Sequence, residues 1–213
     1  MKKKLLSLVL AGAMVASTSV SAFADDTTTI SSYKDGSNTA NVTINGGVDA
    51  ENGDSPSGTI SVSIPTALSF SVDKNGVVKG GNITITNRGV EKVDVTAVNF
   101  QDTTSKRNIT VKSPTELEEE RDNRANIVLS IGGTTGGIAY FKSEDAGNNK
   151  NGIYNAQGVN QEGGIKVSSI AGNGTDTLTL YGVAGKQALT NDEATKGVTD
   201  KFILTLKVTK ATS

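Results

Sequence analysis

Residues 59–72 read TISVSIPTALSFSV, and this stretch constrains the fold more than any other. Ile60, Val62, Ile64, Leu68, Phe70 and Val72 all fall on even positions. A two-residue hydrophobic period marks a strand with one buried face, and here it passes through Pro65 without changing phase. One straight strand of that length would span roughly 46 Å, whereas strands usually run about five or six residues. Proline also cannot donate to a strand ladder. The expected arrangement is therefore two strands meeting at a bend at Pro65. The even side chains would stay on the inner face while the chain passes from one sheet to the other. A one-residue bulge would have flipped the phase, so a bend is the expected device.

Further strand patterns follow at 81–86, 92–100, 108–112, 125–131, 137–142, 164–170, 176–181 and 201–209. Turn signals separate them, among them Asp73-Lys74-Asn75-Gly76, Asn87-Arg88-Gly89, Gly132-Gly133 and Gly172-Asn173-Gly174. In the last strand Phe202, Leu204, Leu206 and Val208 alternate with Thr205, Lys207 and Thr209, as a half-solvated strand requires. One short helix is expected after residue 112. Ser113 is its N-cap, Pro114 its first helical residue and Glu116 the capping-box partner, with LEEERDNR following. A further helical turn is indicated over 191–196. The expected fold is all-β, an antiparallel β-sandwich of Greek-key or jelly-roll type over 59–213 with that one inserted helix.

Ahead of this domain, residues 1–24 have the three parts of a secretory signal: cationic Lys2-Lys3-Lys4, an apolar core over 5–16, and Ala22-Phe23-Ala24. That core is too short for a membrane span, and none is expected in the mature form. Residues 25–58 then read as an extended arm with one strand, marked by alternating Ala40, Val42 and Ile44. A flexible tether, DAENGDSPSG, joins it to the domain. Such a strand can pair with an open edge of its own sandwich, or with that of a neighbouring subunit by β-augmentation. Both satisfy the same backbone groups.

The chain contains no His and no Cys. Imidazole bases, thiolate nucleophiles and the usual zinc sites are thereby excluded. Chemistry by carboxylate, Lys, Tyr or Ser remains, but no pair of carboxylates has the setting of a pKa-shifted dyad. No enzyme activity and no cofactor are expected. An exported chain without Cys must draw its stability from packing and sheet hydrogen bonds. The formal net charge is −1, and loss of the three leader lysines makes the remainder more acidic. With no basic cluster, a nucleic-acid partner or docking on anionic lipid is not expected.

Three segments combine Asp, Asn and Gly, at Asp49, at Asp73 and near Asp145, and none has the ligand order of a calcium loop. The closest, over 147–152, has Gly in place of the first carboxylate and Lys150 between ligands, so turn chemistry is the favoured reading and no metal is expected. Tyr33, Tyr140, Phe141, Tyr154 and Tyr181 could stack on sugars, but without any Trp, packing is favoured. The acidic run over 116–120 reads as a solvated face.

The order TISVSIPTALSFSVDKNG, then ITITNRGVEKVDVTAVNFQD, then a final FILTLKVT resembles the layout of Firmicute cell-surface β-sandwich proteins. It is similar to WxL-type wall-associated domains, where a VP-x-L-x-F strand precedes an RG turn and a last strand closes the chain. The likeness covers roughly residues 58–208. It implies an exported Gram-positive protein held non-covalently on cell-wall polymer or on other surface proteins. The Trp-x-Leu element itself is absent, so wall binding through it does not carry over. A looser likeness is to biofilm-fibre subunits, also exported sandwiches. The expected role is structural or interactive at the cell surface, through strand edges and with self-association by a donor strand as one form. The alternative is a glycan- or protein-binding adhesin module using loops such as 143–158, and a carboxylate-based enzyme is third. No sortase-type motif or hydrophobic tail follows Thr209, so release or non-covalent retention is expected.

Overall fold

The computed structural model describes residues 27–32, 37–43, 60–73, 75–103, 108–144, 149–190, 198 and 200–212. The expected leader, Tyr33, Ile44, the tether and the helical turn over 191–196 lie outside the described residues. Among those described, the structure is all-β. Its strands are β1 (Thr27–Ser32), β2 (Ser37–Thr43), β3 (Ile60–Pro65), β4 (Phe70–Val72), β5 (Val78–Gly80), β6 (Asn82–Asn87) and β7 (Val93–Asp102). They continue as β8 (Thr110–Val111), β9 (Asn126–Gly132), β10 (Ile138–Phe141), β11 (Ile153–Tyr154), β12 (Ile165–Ile170), β13 (Thr175–Ala184) and β14 (Phe202–Lys210).

The larger sheet runs β1-β3-β6-β13-β9-β10-β11, with β8 lying parallel beside β9. The second runs β12-β7-β14-β2, and β4 and β5 form a separate two-stranded ribbon. The sheets curl into a half-barrel. Its inside is one continuous apolar cluster. Ile83 and Ile85 of β6, Ile127, Leu129 and Ile131 of β9, and Leu178 and Leu180 of β13 contribute from the larger sheet. Val93, Val95 and Ala97 of β7 and Leu204, Leu206 and Val208 of β14 contribute from the smaller. Each set follows the period-two rule, because alternate side chains of a strand share a face.

One switch of phase has a local cause. Along β7 the buried positions are odd through Ala97 and then even at Phe100. The partner register steps from Leu206↔Ala97 to Thr205↔Asn99, so Val98 is the extra residue of a β-bulge. The bulge turns Phe100 inward. Its ring stacks on Phe141 at 4.6 Å between centroids and on Phe202 at 5.3 Å, and Phe202 stacks in turn on Phe70 at 6.2 Å. This column ties both sheets to the β4–β5 ribbon, and each pair adds about 0.5–1.5 kcal/mol beyond its buried area.

Pro65 is the last residue of β3. All six even residues of the opening stretch belong to the core or pack against it, so the phase is kept across the break. The strand that follows does not join the opposite sheet, however. It pairs only with β5, and that ribbon packs along β13, where Val77 bridges Val183 and Ala184 N–H donates to Gly76 O at 3.0 Å.

The expected inserted helix does not form. Residues 113–125 make a series of turns. Ser113 N–H does donate to Glu116 Oε2 at 3.1 Å, so half of the capping box is present without the helix it would cap. Asp122 accepts from Glu118 N–H at 2.9 Å, and only the bond from Asp122 N–H to Glu118 O has helical i to i+4 spacing there. Side-chain carboxylates that satisfy backbone donors compete with a helix. Three successive glutamates, Glu118 to Glu120, cannot repay the cost of nucleation across so short a segment. Lys186 gathers Glu119 and Glu120 instead.

Candidate functional site

The two long margins of the half-barrel are built differently. At one, β12 is stitched to the loop before β10 through Gly133 N–H to Val167 O at 2.9 Å and Gly137 N–H to Lys166 O at 2.8 Å. Asp176 of β13 reinforces this seam. Its carboxylate accepts from Ser168 Oγ at 2.5 Å, Thr134 Oγ1 at 2.6 Å and Thr177 N–H at 2.8 Å. Burial disfavours its charged form, but these donors outweigh that and hold its pKa below the ordinary carboxylate value. Every one of these groups is spent on structure.

At the other margin each sheet ends in a strand from the N-terminal segment. β1 pairs antiparallel with β3 from Thr27↔Pro65 to Ser32↔Ile60. β2 pairs antiparallel with β14 from Thr43↔Ile203 to Ser37↔Thr209. Ala40 and Val42 of the expected donor strand thus stand opposite Leu206 and Leu204 of the same chain. Two strands occupy the segment where one was expected. The TTTISS of β1 has only a single large apolar residue, too little for a period-two pattern to register.

The described residues of the loop over 143–158, which are 143–144 and 149–158, are anchored rather than open. Tyr154, only 3% exposed, donates its hydroxyl to Glu144, while Lys142 Nζ binds Glu116 Oε1 at 2.5 Å and sits 5.8 Å from the centre of the Tyr154 ring. Burial, reinforced by Glu144, raises the Tyr154 pKa above its ordinary value, so the phenol stays protonated. Gly152 has φ +69° and lies over Phe100, whose N–H donates to Asn151 O at 2.8 Å. Asn151 Nδ2 donates to Gln161 O at 2.7 Å, and Asn160 Nδ2 donates to Ile153 O at 3.0 Å. Among the described residues, Tyr181 is the aromatic side chain left exposed, at 53%. It stands opposite Ser130, which is flanked on its other side by Tyr140.

Of the three aspartates weighed against calcium, Asp73 is the one among the described residues. Its Oδ1 accepts from Asn75 N–H at 2.8 Å and Val77 N–H at 3.0 Å, which is an Asx turn closing the β4–β5 ribbon. Among the described residues no three acidic side chains converge as a metal would require.

A cavity of about 330 Å³ opens between the ribbon, Ile109, Leu189 and the turn that precedes β9. Phe70, Ser71, Val72 and Val198 also line it, and Asp73 and Arg124 supply its charge. The turn is firmly held: Arg124 N–H donates to Gln187 O at 3.2 Å, Ala125 N–H to Asn123 Oδ1 at 3.0 Å, and Lys112 Nζ to both oxygens of Asp122 at 2.8 and 2.7 Å. The Arg124 guanidinium adds to the field that lowers the Asp73 pKa. Its Nε is buried and has no hydrogen-bond partner. Nothing in the sequence pattern singles this residue out, since a lone Arg before an apolar run is ordinary at a strand entrance. No family model, curated protein or solved structure matches the chain.

Proposed function

We propose that this chain is an exported structural or interaction protein of a Gram-positive cell surface, an antiparallel β-sandwich of Greek-key or jelly-roll type that associates through its strand edges. The partners are a neighbouring copy, other surface proteins or cell-wall polymer. The observation that carries this reading is the placement of Thr27–Ser32 and Ser37–Thr43, which supply one edge strand to each sheet. Withdrawing these strands would bare the β3 and β14 backbones together. Those ladders are main-chain hydrogen bonds, so the same strands of a second copy would satisfy them equally well. The signal-like N-terminus and the lack of His and Cys favour the same reading.

Deleting residues 25–58 and following size by light scattering tests it. The full chain is expected to form oligomers or filaments that the deletion abolishes. Added peptide covering 27–43 should compete with assembly. A full chain that remains monomeric at all concentrations, paired with a deletion that simply unfolds, would refute association by these strands. The adhesin alternative draws support from exposed Tyr181 beside Ser130 on the larger sheet. Retention on peptidoglycan that Tyr181→Ala abolishes would select it.

A further inference from the structure

The cavity beside the β4–β5 ribbon contains a guanidinium whose buried Nε has no hydrogen-bond partner. We propose that this cavity is a binding site for a medium-chain alkyl carboxylate. Arg124 holds the carboxylate, and the hydrocarbon lies against Phe70, Val72, Ile109 and Leu189. The volume of about 330 Å³ stands at the small end of the range for small-molecule sites, and the walls named are apolar apart from the charged pair. Arg124 is presented in advance by a backbone that four neighbouring hydrogen bonds fix, so little ordering cost remains for a ligand to meet. Its buried Nε has lost water without gaining an acceptor, and a carboxylate accepting from Nε and the terminal nitrogens would correct that with fork geometry.

Asp73 is the competing charge in the cavity, and it is already committed. Its Oδ1 takes two backbone N–H groups of the ribbon turn, and Lys79 Nζ lies 3.9 Å from its Oδ2 on the solvent side. Arg124 joins Lys79 in the field that lowers the Asp73 pKa, so two cations face one carboxylate here and the balance at the cavity is positive. That selects an anionic ligand head over an ammonium or an uncharged alcohol. The site is separate from the strand margin formed by β1 and β2, and the inference stands or falls independently of self-association.

The test is calorimetric titration of the full chain with sodium octanoate and, separately, with octanol. Saturable octanoate binding at one site is expected, with octanol weaker by about tenfold or more, the usual worth of a hydrogen bond to a charged group. Arg124→Met should erase that preference and leave octanol binding unchanged. Leu189→Trp, which fills the cavity from a loop, should weaken both ligands. Circular dichroism confirms that each variant is folded. Absence of saturable octanoate binding by the unmodified chain, undiminished octanoate affinity in Arg124→Met, or full affinity in Leu189→Trp would each overturn the assignment.

Discussion

Replacing Asp176 by Asn tests how the closed margin of the half-barrel is held. The residue is 6% exposed, and its carboxylate collects donors from three separate segments: Thr134 and Thr135 before β10, Ser168 in β12 and Thr177 in β13. Asn keeps the size and one acceptor oxygen but replaces the other oxygen by an NH₂ group turned toward groups that are themselves donors. Each hydrogen bond to a charged group is worth about 1.5–3 kcal/mol net, and about half of the set survives, so a loss of about 3 kcal/mol is expected. For a domain of this size that lowers Tm by about 6–12 °C. Urea unfolding followed by circular dichroism at neutral pH measures it, with the slope m unchanged. The folded-state pKa of Asp176 is depressed, so its contribution is fully present above the unfolded value near pH 4 and is lost as pH falls through the folded value. The gap between the two proteins must therefore narrow in acid. A loss under about 1 kcal/mol at neutral pH, or a gap that widens on acidification, would refute the assignment of this carboxylate as the seam.

Gly152→Ala is expected to cost more than about 2 kcal/mol, because φ there is +69° and the new Cβ would meet Phe100 O at 2.3 Å; the urea midpoint reads it. Phe100→Ala removes the centre of the aromatic column and should cost about 3–5 kcal/mol, and a loss below about 1 kcal/mol would mean the column is not the link between the sheets. In Lys112→Met the hydrogen bond that most lowers the Asp122 pKa is gone. The Asp122 carboxyl resonance, followed by NMR, should then titrate at higher pH, and stability near neutrality should fall by about 1–3 kcal/mol.

Alternation was the most legible signal, because it records which face of a strand meets the core. Phe202, Leu204, Leu206 and Val208 are all buried, as their spacing requires. Strands without that contrast were not legible. β5, Val78–Gly80, has a single buried side chain, and β11, Ile153–Tyr154, is buried at both positions, so neither has a period. The 113–125 segment misled for a different reason. Ser113, Pro114 and Glu116 satisfy the local grammar of a helix start, but that grammar specifies only the first turn, and the continuation depends on tertiary partners. There Lys112, Lys142 and Lys186 draw the acidic side chains into turns. Asp176 and Arg124 were invisible for a third reason. Sequence shows their charge, whereas their importance arises from burial and from which donors or apolar walls reach them.

Strand order decides how the margins can behave. The seam at β12 depends on side chains that reach across it, with Thr135 Oγ1 accepting from Ser169 N–H at 2.8 Å as well as Asp176 from Ser168 Oγ. It is specific to this chain's own register, and a foreign strand could not reproduce it. The β3 and β14 margin, by contrast, is completed by ladders whose partners are backbone groups that any antiparallel strand of similar length presents. Exchange between copies is therefore feasible at one margin alone. It follows that disrupting the seam should lower stability without altering assembly, whereas proline at both Ala40 and Asn41, adjacent residues of which one must direct its N–H to β14, should impair assembly while leaving the seam intact.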